Sequence, residues 1–213
     1  MTSLNRLVGL ALASAGALTL AAAGLAADAP QPTKVSWRSP PGDPKRGAQL
    51  AQPCLACHAA SAPEMTPHAP KLNRTRQSYL VSALLAFRDG QRQSAIMGPM
   101  VAGLKDQDIR DLAAYVSGEM LDKPPKSNEQ DPYYGFVRAH CTMCHGESGI
   151  GEMEGMPVLT GQDPAYLQNA LEEYRKGIRK DPTMAGVAAK LTPEQEKGAA
   201  AYFAQYDWLE KLK

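Results

Sequence analysis

Two copies of one five-residue motif constrain this chain more than any other feature. The sequence Cys-x-x-Cys-His occurs at Cys54–His58 and again, 87 residues later, at Cys141–His145. Two thiols can bond to the two vinyl groups of one porphyrin while the adjacent imidazole binds the iron, so this motif is the attachment signature of c-type haem. The sequence therefore predicts two covalently bound c-type haems. The predicted attachment and axial residues are Cys54, Cys57 and His58 for the first haem and Cys141, Cys144 and His145 for the second.

The register of 87 residues continues beyond the motifs without a gap. Residues that recur at this offset include Pro70 and Pro157, Tyr79 and Tyr166, Arg92 and Arg179, Met97 and Met184, and Leu104 and Leu191. A long ungapped repeat indicates a duplicated domain. We expect one domain over residues 43–120, a short Pro-containing linker over 121–128 and a second domain over 129–213.

Each copy has the periodicity of helices. Apolar residues from Tyr79 to Phe87 recur at spacings of three and four, which indicates a helix face, and Gly90 follows as a stop signal. The equivalent segment in the second copy has the same pattern, and no stretch alternates like a strand. The predicted fold class is all-α, with two tandem domains of a few helices around one haem each.

Helix starts are marked by aspartate or threonine followed by proline. Asp43-Pro44 and Asp131-Pro132 predict helices that lead into the two haem motifs, and Asp163-Pro164 predicts another. Thr192–Gln195 has the form of a capping box and predicts the start of the last helix.

Composition supports the presence of a cofactor in each half. Aromatic residues make up only 6% of the chain, which is sparse for two small cores. A large apolar cofactor in each domain would complete such cores. The formal net charge of +1 provides no overall field that would attract nucleic acid.

The N-terminus has the pattern of an export signal. Arg6 precedes an uncharged run from Leu7 to Ala27, so residues 1–27 are predicted to be a signal peptide and the protein to be periplasmic. An uncleaved membrane anchor is the alternative, although the run is mostly Ala and Gly. Residues 28–42 are rich in Pro, Ser and Thr and are predicted to be an extended lead-in. Free cysteines would normally form disulfides after export, whereas haem attachment uses all four.

The second axial ligand of each iron is predicted from the repeat. Met97 and Met184 occupy equivalent positions, and Met184 is the only methionine in its loop. Met100 competes with Met97 in the first half, but its counterpart is Val187, which cannot bind iron. A thioether ligand favours reduced iron and closes the sixth coordination position.

Residues around the ligands can also be proposed from the repeat. A ligating histidine usually donates its second N–H to a carbonyl, and Pro70 and Pro157 each follow their histidine by twelve residues. A loop proline without such a bond is the alternative. Two pairs of arginines recur in the repeat, Arg88 with Arg175 and Arg92 with Arg179. They are candidates to pair with haem propionates, Arg92 and Arg179 above all, and the alternative is solvated helix ends.

These features together resemble a known family. The two attachment motifs, the Pro-x-Leu and Tyr-Leu sequences after each of them, and Met184–Leu191 are similar to the di-haem cytochromes c of the cytochrome c4 family. Each half resembles a class I cytochrome c. The resemblance implies periplasmic electron transfer, His/Met ligation of both haems and domains that face each other at their propionate edges. The first copy departs from the family pattern, because Arg74-Thr75 stands where the second copy has Gly161-Gln162.

The expected function is that of an electron carrier, not an enzyme. The resemblance implies redox partners such as a membrane quinol-oxidising complex and a terminal oxidase, with peripheral membrane association as an option. A di-haem enzyme of the peroxidase or thiosulfate-oxidising type, or the electron-accepting subunit of a periplasmic dehydrogenase complex, is the alternative. Enzymatic haems usually keep an open sixth position. A haem-free zinc protein that uses the four cysteines is a third class, but it leaves the motif histidines unexplained.

Overall fold

The structure is a computed structural model that describes residues 41–58, 69–118, 125–151 and 153–206. These residues contain ten helices and no strand, which confirms the all-α prediction. The first half contains α1 (Pro44–Leu50), α2 (Gln52–His58), α3 (Gln77–Arg88), α4 (Met97–Val101) and α5 (Asp106–Ser117). The second half contains α6 (Tyr134–His140), α7 (Thr142–His145), α8 (Pro164–Arg175), α9 (Pro182–Ala188) and α10 (Pro193–Ala204). The predicted signal peptide, most of the lead-in and part of the linker lie outside the described residues.

The repeat in the sequence is also a repeat in structure. The bounds of α3 and α8 differ by 87 residues at both ends, and so do those of α5 and α10. Each half has its own apolar core, built mainly between these two helices. The buried core of the first half comprises Leu80, Val81, Leu85, Ile109, Ala113 and Val116, and that of the second comprises Val137, Leu167, Ala199, Ala200, Tyr202 and Phe203.

Close helix packing in each half depends on one glycine. A Cβ at Gly47 on α1 would overlap the carbonyl oxygen of Asp111 on α5. In the second half the glycine is on the other partner, because a Cβ at Gly198 on α10 would overlap the ring of Tyr133, which precedes α6. Both halves therefore hold the helix before the haem motif tightly against their last helix.

Most predicted helix starts are present. The Asp43 carboxylate accepts the backbone N–H of Lys45 at 2.9 Å, and Thr192 and Gln195 form the capping box of α10. The prediction that a helix begins at Asp131 is wrong. Its carboxylate instead accepts the Tyr133 N–H at 2.8 Å within a turn, and α6 begins at Tyr134.

Candidate haem centres

Each attachment motif lies at a short helix, α2 or α7. This helix directly follows the helix that packs against the last helix of its half, α1 or α6. Cys54, Cys57 and His58 belong to α2, where residues three and four positions apart share one side. In the second half, Cys144 and His145 lie on α7, and Cys141 immediately precedes it. All four cysteines are free thiols, so none is taken up by a disulfide.

The first motif histidine is oriented by a backbone carbonyl. His58 Nδ1 lies 3.0 Å from the Pro70 carbonyl oxygen. Because the carbonyl only accepts, Nδ1 carries the proton and the lone pair is left on Nε2, which is the tautomer that can bind iron. Burial lowers the pKa of His58, and the Pro70 carbonyl opposes that shift. The ring is therefore held in the neutral form that a metal ligand needs.

The second motif histidine has a different environment. His145 is buried, at 6% exposure, and its Nδ1 has no hydrogen-bond partner of normal geometry. Burial lowers its pKa, and the nearby Pro157 carbonyl acts in the opposite direction. The predicted proline carbonyl thus acts on both histidines, but only the contact between His58 and Pro70 has normal hydrogen-bond geometry.

The two candidate methionine ligands lie in the first turn of short helices, since Met97 is the first residue of α4 and Met184 the third residue of α9. The Met97 N–H donates to the Ser94 hydroxyl at 3.0 Å, and the Met184 N–H donates to the Asp181 carboxylate at 2.8 Å. Both methionines are partly buried, whereas the competing Met100 is 46% exposed. Met97 and Met184 thus share partial burial and a backbone N–H bound by a side chain three residues earlier.

Arg92 and Arg179 meet at the boundary between the two halves. Arg92 Nη2 lies 3.1 Å from Glu173 Oε2, and Arg179 Nη2 lies 2.9 Å from the same oxygen. The Arg92 guanidinium also stacks 4.3 Å above the Phe87 ring, and that of Arg179 lies 5.0 Å above the Tyr174 ring. One carboxylate therefore holds two arginines, one from each half.

Glu173 was not singled out by the sequence. Its counterpart in the first copy is Ala86, so the repeat gives it no partner. The available signal was a carboxylate in the last turn of α8, two residues before its end and six residues before Arg179. Only the fold shows that Arg92 of the other half reaches it as well.

Two tyrosines complete this cluster. Arg179 Nη2 lies 3.4 Å from the Tyr166 hydroxyl. Burial acts to raise the pKa of Tyr166, but the positive charges of Arg179 and Arg92 together lower it. The pKa of its counterpart Tyr79 is raised, chiefly by burial. The cluster is thus a positively charged, largely desolvated region between the halves.

The residues present fit two c-type haems. The thiols are unpaired, His58 has the tautomer for iron binding, and the Arg92 Nε is a buried donor without a partner, which suits a carboxylate such as a propionate. Among the described residues, no group of three or more His, Cys, Asp or Glu side chains is arranged to hold a metal ion. Nor does that part of the chain contain a helix long and apolar enough to cross a membrane.

Comparisons with known proteins agree with this geometry. A family model described as Cytochrome c matches residues 44–118 and again residues 135–207. Cytochrome c4 of Pseudomonas aeruginosa is 31% identical over 76% of this chain and 87% of that protein. A thiosulfate dehydrogenase electron acceptor of Thiomonas intermedia is 29% identical over 92% of this chain and 89% of that protein.

Solved structures of cytochrome c4 proteins have a similar fold. The crystal structure of reduced recombinant cytochrome c4 from Pseudomonas stutzeri superposes with a TM-score of 0.64 at 29% identity, and covers 78% of this chain and 99% of the other. The two family matches, each on one attachment motif, establish two covalently bound c-type haems. The chain therefore belongs to the cytochrome c family and is a di-haem electron carrier of the cytochrome c4 type.

Proposed function

We propose that the chain holds two six-coordinate haems, each with one histidine and one methionine ligand. The proposed axial pairs are His58 with Met97 and His145 with Met184, and the proposed thioether residues are Cys54, Cys57, Cys141 and Cys144. The observation that supports this proposal is a shared contact of the two methionines: the backbone N–H of each donates to a side chain three residues earlier, in the first turn of a short helix. When bound, each haem supplies a reversible one-electron couple.

The surrounding residues suit electron carriage. His58 offers Nε2 because its Nδ1–H is donated to Pro70, and Pro157 is proposed to take the same role for His145. The methionine thioethers close the sixth positions, so exogenous ligands and substrates are excluded. A chain that closes both irons can gain and lose electrons without binding anything to them.

The arginines are proposed to hold the propionate edges. Arg92 and Arg179 have side chains that are 12% and 9% exposed, and both lie where the two halves meet. A guanidinium forms strong charge-assisted hydrogen bonds to carboxylates. Propionates anchored there would bring the two haems close enough edge to edge for electrons to pass between them.

We also propose the domain limits and the location. The domains extend over residues 43–120 and 129–213, joined by a linker at 121–128, after a signal peptide at 1–27 and a lead-in at 28–42. Export to the periplasm is supported by the uncharged N-terminal run and by the use of every cysteine in a haem motif. A membrane quinol-oxidising complex as donor and a terminal oxidase as acceptor are the proposed partners.

A second role is favoured by one specific finding. The relative from Thiomonas intermedia, which aligns over 92% of this chain, is a thiosulfate dehydrogenase electron acceptor. The same two closed haems would serve as the electron-accepting partner of a periplasmic dehydrogenase. In both roles the chain carries single electrons, and only the partners differ.

One experiment tests ligation and another tests the partner. Haem staining on a denaturing gel should be positive, and the reduced protein should not bind carbon monoxide. Carbon monoxide binding at either haem would overturn the His/Met proposal.

The partner is tested by reduction of the ferric protein, once with thiosulfate plus a thiosulfate dehydrogenase and separately with quinol plus a quinol-oxidising complex. Fast reduction by the first system alone would replace the respiratory role with the second.

A further inference from the structure

The side chain of Gln162 crosses from the second half of the molecule to the first. Its Oε1 accepts the backbone N–H of Lys71 at 2.8 Å, and its Nε2 donates to the Lys71 carbonyl at 2.9 Å. The amide thus pairs with both backbone groups of one residue. Gln162 is only 4% exposed, so both bonds are shielded from water.

Gln162 is itself held firmly by the second half. The N–H of the preceding Gly161 donates to the Phe203 carbonyl on α10 at 2.8 Å. The Gln162 N–H donates to the Leu159 carbonyl at 3.1 Å, and its Oε1 also accepts the Asp163 N–H at 3.1 Å. A side chain fixed at both its backbone and its amide can transmit the position of one half to the other.

The peptide that Gln162 contacts is the one that orients the first haem histidine. The Lys71 N–H and the Pro70 carbonyl belong to the same planar peptide unit. At one end of this unit the N–H donates to Gln162, and at the other end the carbonyl accepts from His58 Nδ1 at 3.0 Å. Successive hydrogen bonds through one peptide polarise each other, so the bond to Gln162 makes the Pro70 oxygen a stronger acceptor.

The second half has no equivalent arrangement. Thr75 stands at the position that corresponds to Gln162, and its hydroxyl is buried without a partner. His145 Nδ1 faces the Pro157 carbonyl but has no hydrogen bond of normal geometry. The residue before Thr75 or Gln162 has the same left-handed backbone in both halves, since Arg74 has a φ of 61° where Gly161 has 71°. The side chain that follows, and not the loop shape, therefore makes the two halves different.

We propose that Gln162 is a positioning residue for the axial ligand of the first haem, acting from the second domain through the Pro70–Lys71 peptide. It strengthens the hydrogen bond from His58 Nδ1, which makes the ring a better electron donor to iron and stabilises the ferric state. The reduction potential of the first haem thereby depends on how the second domain is docked. This inference rests on the proposed ligation by His58.

The test is the replacement Gln162→Met, which keeps the length and volume of the side chain but removes both amide contacts to Lys71 and the one to the Asp163 N–H. Heteronuclear NMR of histidine-labelled holoprotein assigns each haem through the rings of His58 and His145. In the variant, the potential of the first haem should rise while that of the second stays unchanged. Exchange of the His58 Nδ1–H with solvent should accelerate about tenfold, the factor that corresponds to about 1.4 kcal/mol.

Two control variants separate this effect from loss of domain docking. Lys71→Ala removes the contact from Nζ to the Gly161 carbonyl but keeps the backbone bonds to Gln162. Ser78→Ala removes another bond between the halves, the one from the Gly155 N–H at 3.0 Å. Ser78→Ala should leave the potential of the first haem unchanged. Lys71→Ala also removes a positive charge, which can only lower this potential, so it should not produce the rise expected for Gln162→Met.

Three results would overturn the inference. They are an unchanged potential of the first haem in Gln162→Met, equal shifts of both haem potentials in that variant, and the same shift of the first potential in Ser78→Ala. The proposed ligation by His58 has its own test in the wild type. It is overturned if the NMR signals of the His58 ring are not shifted by the iron. A normal His58 signal with no response to Gln162→Met rejects the inference alone.

Discussion

Arg92 and Glu173 form an ion pair across the boundary between the two halves, with 3.1 Å between Nη2 and Oε2. Their side chains are only 12% and 18% exposed, so water screens the pair weakly. The same carboxylate also binds Arg179 of its own half. A single acidic side chain thus lies against two positive charges, which leaves a net positive charge at the place where the propionates are proposed to lie.

Glu173→Gln should destabilise the protein and raise the haem potentials. The variant removes the carboxylate that two largely buried arginines share, and the added net positive charge near iron favours the reduced state. We expect a loss of about 1–3 kcal/mol in the free energy of unfolding, between the values for exposed and fully buried pairs. Denaturant titration and spectroelectrochemistry measure the two effects. Asp106→Asn is the control. The Asp106 side chain is 46% exposed, so its ion pair with Arg88 should contribute less than about 1 kcal/mol to the free energy of unfolding.

Arg92→Gln should lower the potential of the first haem. Without the guanidinium, a propionate keeps an unbalanced negative charge that favours ferric iron, and the pKa of that propionate rises. The potential should therefore become more dependent on pH than in the wild type, which redox titration at a series of pH values measures. Arg88→Gln serves as the matched control, because Arg88 Nη1 binds Asp106 at 2.6 Å. A similar response of both variants would contradict a propionate contact for Arg92.

Replacement of the methionines should identify the sixth ligands. The ferric spectrum of a methionine-ligated haem has a weak charge-transfer band in the red. Met97→Ala and Met184→Ala should each remove about half of its intensity, as expected when one of two closed irons is opened. Met100→Ala should leave the band unchanged, since that side chain is 46% exposed. Loss of the band in Met100→Ala would transfer the first ligand from Met97 to Met100.

Gly47→Ala should weaken the first domain. The added methyl group would overlap the Asp111 carbonyl where α1 crosses α5, so the two helices must separate. Overpacking of this kind costs about 1–3 kcal/mol, measured as a shift in the denaturation midpoint. Gly186→Ala is the control, because no atom lies within 4 Å of its added Cβ and alanine is the better helix former. Equal losses in the two variants would show that the backbone, and not the helix contact, sets the effect.

Local sequence patterns determined much of this protein. Two Cys-x-x-Cys-His motifs specify covalent haem, because thiol and imidazole chemistry at that spacing suits one porphyrin. Their register predicted the duplicated helices, and α3 and α8 indeed have bounds that differ by 87 residues. The capping box at Thr192 was equally readable. The error at Asp131 has a local cause too, since a carboxylate can bond to the backbone of a turn as readily as to that of a helix.

The tertiary structure decided what makes the two halves unequal. Gln162 and Lys71 are 91 residues apart, and Arg92 and Glu173 are 81 apart. Contacts at such separations leave no periodicity in the chain, because they depend on how two already folded domains dock. The sequence alone therefore determined two similar haem domains, whereas the packing between them decided that His58 is supported from across the boundary while His145 lacks such support.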